Sequence, residues 1–485
     1  MRPGYPDHPY QKETMKRGRS IAIWLAGCTS ILLFACGLVV FVFSHKFYPN
    51  APEANFPTAQ DVTTEQRQDF DYFQSYFELN RSFTPDARAR AAQLLEEYKS
   101  KQGSFSPAQF DLAIARIVAL ADNGHSRVEP GPLSRRHNRI ACRMYRFSDG
   151  YYFIRARPAC RELLGAKVTA VDGHLIEEVA DRMFEYFGGP RNHYDQFASV
   201  FFLESPELLQ AAGLASALDR LNLHVVLRDG SEKDVVVIAE PPDAAAPRVY
   251  SDTYLSPQRI EMEAADWETV LAADARLPIF LRDYSNPFHS EYWADKGVLY
   301  AQFRSNDDEA GRSIGDFIKR IEHAIVADRP RSIVLDLRFD QGGNFITTAS
   351  LMKTLTTLTD SVERVYVLTS AWTFSAGDVS LALVKEHGGN KVTVIGEPVG
   401  DRIRLWAEGG TMTLPNSKLS IGFATGLHDY AHPCWKEYGC FWSMYFFPMH
   451  VTTLEPNIRV GYSFHDYVNL RDPVLERVLE LARNQ

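Results

Sequence analysis

The chain has no Cys-x-x-Cys pair, no internal repeat and no low-complexity tract. The first absence argues against a zinc ribbon, and the other two against a solenoid or a disordered tail. No basic stripe offsets the net charge of -9, which argues against nucleic acid as a partner. Cysteine is scarce, six in 485 residues. Charge itself is missing from one stretch, residues 20–43, where the chain is continuously apolar.

At helical rise that run is long enough to cross a bilayer. Lys12, Lys16, Arg17 and Arg19 precede it and only Lys46 follows closely, so the positive-inside rule predicts a cytoplasmic tail at 1–19, an anchor at 20–44 and export of the rest. A cleaved signal peptide has a shorter apolar region and a small-x-small site. Leu25-Ala26-Gly27-Cys28 resembles a lipobox, yet apolar sequence continues past Cys28. An uncleaved single-pass anchor is therefore the preferred reading. Cys28 and Cys36 fall in the span, leaving four exported cysteines that allow three pairings. Proximity favours Cys142 with Cys160 and Cys434 with Cys440, with four free thiols as the alternative.

The exported length has room for two or three domains. Residues 45–62 read as a linker. Residues 63–136 read as a helical bundle, with helix starts at Thr64, at Thr84-Pro85 and at the capping box Ser106-Pro107-Ala108-Gln109. The third helix runs into Asp122-Asn123-Gly124-His125, which puts His125 just past a helix end on a turn. Residues 137–245 read as mainly β with helical insertions, including a hairpin around Arg228-Asp229-Gly230.

In residues 332–400, apolar strands at 333–337, 365–369 and 391–395 alternate with helical patterns, which predicts βαβ units in a buried, mostly parallel sheet. Sites are usually built in the loops at the carboxyl ends of such strands. The first strand empties into Gly342-Gly343, where backbone N–H groups can turn into a pocket with no Cβ in the way. The second leads to Ser375 at a helix start, where free N–H groups favour negative charge. On local sequence alone Ser375-Ala376-Gly377-Asp378 fits a plain S-x-x-D helix start better, with Ser375 capping the helix and Asp378 bonding back.

The order Val334-Leu335-Asp336-Leu337-Arg338, two glycines, Phe374-Ser375-Ala376-Gly377-Asp378 and Gly396-Glu397-Pro398-Val399-Gly400 resembles the S41 peptidases, which include the carboxyl-terminal processing proteases and the tricorn core protease. The resemblance implies an α/β fold, a crotonase/Clp-protease-like core (αβ spiral) at 246–485. Val168 to Val179 resembles part of a PDZ-like module, placed at 137–245. It further implies Ser375 as nucleophile, with Ala376 and Gly342 or Gly343 as the oxyanion hole, and His125 as base by likeness to the Asp-Gly-His-Thr turn of tricorn-like members.

Two positions depart from the family. The lysine of the Ser-Lys dyad is replaced by Asp401, followed by Arg402, and arginine cannot act as base. The tricorn-type glutamate aligns with His450, with Glu455 out of register. The third catalytic member is therefore unassigned. His428 and His432 have helical i,i+4 spacing but no third ligand, so no metal is expected, and no cofactor is needed. The expectation is a membrane-anchored serine peptidase of a bacterial envelope acting on peptide or protein substrates. Alternatives are a catalytically weak or inactive scaffold that binds a peptide or hydrophobic ligand, and an esterase.

Overall fold

The computed structural model describes residues 41–129, 135–245, 251–261 and 263–483. Chain contacts divide it into units Met1–Asn50 and Ala51–Gln485. In the first unit residues 41–47 are helical. The span expected at 20–44 lies, up to residue 40, outside the described residues. Among the described residues no helix is long and apolar enough to cross a membrane.

The second unit opens with helices Val62–Phe73, Pro85–Ser100 and Pro107–Ala119. Thr84 and Ser106 cap the last two as expected, Ser106 through a complete capping box. The first begins earlier than expected, because the Asp61 carboxylate accepts the Thr64 N–H at 2.8 Å and so adds Val62 and Thr63 to the helix. Phe70, Phe73, Tyr76 and Phe110 are buried between these helices.

The chain then builds an antiparallel sheet from Cys142–Phe147, Gly150–Ala156, Lys167–Val171, Arg220–Val226 and Glu232–Glu240. The last two form the expected hairpin. Between the third and fourth of these strands lie helices Ile176–Met183, Arg191–Ala198 and Pro206–Ala211. Tyr194, Phe197, Phe201 and Phe202 of this insertion are buried in one apolar core with the sheet and the N-terminal helices.

The second sheet has six strands: β1 (Phe288–Trp293), β2 (Val298–Phe303), β3 (Ser332–Asp336), β4 (Arg364–Thr369), β5 (Val392–Gly396) and β6 (Ile458–Arg459). They lie in the order β6-β5-β4-β3-β2-β1, parallel throughout except for β1. Residues of β2, β3 and β4 are almost entirely buried, which is why they read as continuous apolar runs. Helices α1 (Ile314–Asp328), α2 (Phe345–Thr354) and α3 (Ala376–Gly388) supply the crossovers.

Cys434 and Cys440 form a disulfide, as their spacing suggested. The expected Cys142–Cys160 bond is corrected: both are buried thiols, in hydrogen-bonding contact but unbonded. Buried cysteines of this kind pack as small apolar groups. His428 is also corrected, because it lies on the strand Gly426–Asp429 rather than a helix, pairs with Glu408 at 3.2 Å and stacks on Phe441.

Candidate active site

Three turns at the carboxyl ends of β3, β4 and β5 are fastened together. The Phe374 N–H donates to the Asp340 carbonyl at 2.9 Å, the Thr373 hydroxyl to the Leu337 carbonyl at 2.8 Å, and the Gly400 N–H to the Thr373 carbonyl at 2.7 Å. On this framework Ser375 adopts φ 56°, ψ -117°, a conformation that costs a non-glycine residue of order 1–3 kcal/mol and persists only when its surroundings impose it. Its side chain makes no capping bond to α3. The buried Asp378 carboxylate makes no aligned hydrogen bond, although the Ser375 N–H lies near enough to act on it. The Ser375 side chain is therefore not a cap here. Ser375 is also the single residue of 371–384 that is not fully buried.

Asp378 is best described as an uncharged acid. Burial first, then the charges of Asp401 and Asp340, push its pKa well above the carboxylate range.

Phe374 carries the neighbouring groups. Its ring lies between the imidazoles of His125, 4.4 Å away and 23° from parallel, and His193, 4.2 Å away and 8° from parallel. The His125 turn is held by the Asn123 side chain, which donates to the Ser126 hydroxyl at 3.1 Å and accepts the Trp406 N–H at 3.2 Å. Gly189 presses on this turn: at φ 78° a Cβ there would lie 2.8 Å from the Gly124 nitrogen.

Asp401 faces His125. Its Oδ2 stands 3.2 Å from Nδ1, close enough for an ion pair, but off the line an aligned hydrogen bond requires. The Asp401 side chain is 1% exposed and that of His125 16%, so the pair is shielded from water. Nε2 of His125 has no partner among the described residues. Arg402, the neighbour that cannot serve as base, instead clamps the two turns together by donating to the carbonyl and carboxylate of Asp122 at 2.7 and 2.8 Å.

His193 is held neutral. Its Nδ1 lies 3.2 Å from the Ala371 carbonyl and its Nε2 3.1 Å from Arg127 Nη1, which assigns the proton to Nδ1. Burial, then the charge of Arg127, push its pKa well below the usual imidazole value.

Gly342 and Gly343 take different positions. Gly342 has φ 110°, and a Cβ there would fall 2.7 Å from Ser375 Cβ and 3.1 Å from the Ala376 nitrogen. A Cβ on Gly343 would meet the Asp307 carboxylate at 2.5 Å. The Gly342 N–H donates to Asp340 Oδ1 at 3.1 Å and its carbonyl accepts the Asn306 N–H at 2.9 Å. The Gly343 and Ala376 N–H groups have no acceptor among the described residues. Beside Gly342 opens a cavity of about 400 Å³ lined by Asp252, Tyr284, Arg304, Phe339 and Gln341.

The structure thus brings Ser375, Ala376 and Gly342 together, and His125 against Phe374. His450 and Glu455 are elsewhere: His450 is exposed beside Glu386, and Glu455 pairs with Arg459. Sequence reasoning missed Asp401, His193 and Arg127. For Asp401 a signal existed, since it occupies the position of the family's lysine. His193 and Arg127 carry none, because their placement depends on how the helical insertion packs. Among the described residues no group of three or more histidine, cysteine or acidic side chains is arranged to hold a metal.

No family model matches the chain, and no curated protein does. Solved structures do. Mature CPAF complexed with lactacystin superposes with a TM-score of 0.54 at 11% identity, covering 87% of this chain and 100% of the other. Mature CPAF alone gives 0.53 at 12% identity, covering 87% and 98%. The tricorn protease gives 0.34 at 14% identity, covering 89% and 38%. The mixed α/β fold is therefore that of CPAF.

Proposed function

We propose that this chain, with the fold of mature CPAF and the motif order of S41 peptidases, is a serine peptidase. Ser375 Oγ attacks the substrate carbonyl carbon, and His125 Nε2 takes the hydroxyl proton. Asp401 stabilises the imidazolium through Nδ1, the part an acidic side chain plays in a serine–histidine–aspartate triad. The tetrahedral oxyanion is received by the Ala376 N–H and by an N–H of the Gly342-Gly343 pair, of which Gly343 has the unengaged group. His125 returns the proton to the departing amine, and water, deprotonated by the same imidazole, releases the acyl group from Ser375.

The observation that carries the reading is the Ser375 backbone: a strained, uncapped serine at a helix N-terminus, with no function as a cap to account for it. The cavity of about 400 Å³ beside Gly342 is large enough to admit a substrate side chain. A fluorophosphonate probe tests this. Labelling should map to Ser375 and vanish in Ser375→Ala and His125→Ala; folded protein that takes up no probe would sink the peptidase reading. In that case the catalytically inactive, ligand-binding scaffold takes its place, a reading favoured by His125 Nε2 having no hydrogen bond to Ser375.

The uncharged run at 20–43 and the basic residues before it support anchoring in a bacterial inner membrane, with residues after about 45 on the outer side. Protease added to spheroplasts should degrade the catalytic part, and protection of that part would reverse the orientation. The antiparallel sheet of 139–240, read as PDZ-like, is suited to capturing an extended peptide by strand addition.

A further inference from the structure

Asp340 touches both halves of this site. It is fully buried, its carboxylate oxygens lie 2.7 and 2.8 Å from Asn306 Nδ2, and Oδ1 also accepts the Gly342 N–H at 3.1 Å. Its main-chain carbonyl accepts the Phe374 N–H at 2.9 Å, one residue before Ser375. That carbonyl and the side chain also crowd α3: a Cβ on Gly377 would lie 2.5 Å from the Asp340 carbonyl oxygen and 3.2 Å from its Cγ. Asn306 completes the arrangement. Its Oδ1 accepts from the Thr348 and Ser380 hydroxyls at 2.8 and 3.2 Å, and its N–H holds the Gly342 carbonyl.

Both ends of the Gly342 residue are thereby fixed. A trans peptide directs its carbonyl and the following N–H to opposite sides. With the Gly342 carbonyl held by Asn306, the Gly343 N–H is turned away from Asn306 and left free. Neither glycine has a Cβ to restrain rotation at φ 110° and 128°, so the side-chain bonds must supply the restraint.

Resting on the Ser375 peptidase reading, we propose that Asp340 is a positioning residue: its carboxylate holds the Gly342 N–H and the side chain of Asn306, whose own N–H holds the Gly342 carbonyl, so that the Gly343 N–H is presented as oxyanion donor, while the Asp340 carbonyl holds the Ser375 turn in register with it.

The lock is sensitive to protonation. Burial, aided by the charges of Asp307 and Glu309, pushes the Asp340 carboxyl up to about 7, against bonds from Gly342 and Asn306 that favour its ionised form. Asp378, on the first turn of α3, also faces it and is uncharged. Above about 7 the carboxylate accepts from both donors; below it, a proton on one oxygen competes with them. The acid limb of kcat should therefore carry a proton on Asp340.

The test compares wild type, Asp340→Asn and the exchanged pair Asn306→Asp with Asp340→Asn. In Asp340→Asn an amide NH2 meets the NH2 of Asn306, so kcat should fall on the order of 10²-fold, the usual cost of one oxyanion donor, with KM little changed and the Asp340 proton lost from the acid limb. The exchanged pair restores donor against acceptor and should recover most of kcat, and with it an acid limb that carries the proton of the buried carboxyl now at position 306. Thermal unfolding shows whether each variant folds. Unchanged kcat and an unchanged limb in Asp340→Asn, or a folded exchanged pair that recovers nothing, overturns the inference while fluorophosphonate still labels Ser375. Absence of labelling in wild type overturns the peptidase reading and this inference together.

Discussion

At the scale of single residues, the site depends on what each titratable side chain faces. Asp401 is shielded from water, yet the protein offers its Oδ2 little besides the His125 ring. Replacing it by an amide preserves shape and removes the charge that, on the peptidase reading, stabilises the imidazolium. Asp401→Asn should lower kcat by on the order of 10³- to 10⁴-fold with KM nearly unchanged, as steady-state kinetics on a peptide substrate will read. A KM effect with intact kcat would remove Asp401 from the mechanism and leave it as a structural acid. His193, in contrast, is already engaged on both nitrogens, its Nδ1 proton by the Ala371 carbonyl and its Nε2 by Arg127.

At the scale of elements, the Ser375 turn takes its shape because three strand ends meet without side chains in the way. Gly342 is the glycine that approaches Ser375 itself, with its α-carbon hydrogen where a Cβ would sit 2.7 Å from Ser375 Cβ. Gly342→Ala adds both this overlap and a methyl group at φ 110°, a backbone region that L side chains rarely enter. The expected result is a loss of roughly 1–3 kcal/mol of stability, visible in denaturant unfolding, together with slower fluorophosphonate labelling. Labelling at the wild-type rate would mean that the two turns do not need this contact. The helix capped by Ser106 acts at the same scale, since its carboxyl end delivers the His125 turn to the site.

At the scale of the whole molecule, the C-terminal helix Pro473–Arg483 is tied to the central sheet by buried charge. Arg338, just past β3, donates to Asp336 and to Asp472, at 2.8 and 2.9 Å in the latter case, and lies 4.1 Å over the Phe280 ring. Asp336 also accepts from the buried Tyr300 hydroxyl at 2.7 Å. Removing one member of such a network leaves an undercompensated buried charge. Asp472→Ala should cost about 3–5 kcal/mol in denaturant unfolding, and a loss below about 1 kcal/mol would show that water reaches Arg338.

Much of this was legible beforehand because it is local. Strands β2 to β5 announce themselves as apolar runs, since a parallel sheet covered on both faces admits little else. The caps at Thr84 and Ser106, the Arg228–Gly230 hairpin turn and the Gly342-Gly343 break depend on neighbours within a few residues. Whether Ser375 caps a helix or stands strained at its start depends on φ and ψ, which are imposed by Asp340, Leu337 and Gly400 from other turns. His125 and Asp401 are far apart along the chain, and they face each other only because the N-terminal helices pack beside the β5 turn. The Cys142–Cys160 pairing failed for the same reason, since nearness in sequence says nothing of the geometry two buried thiols will meet. Local periodicity and turn chemistry thus determined the elements, while tertiary packing alone decided which side chains face one another, because contacts over long separations leave no periodic trace in the sequence.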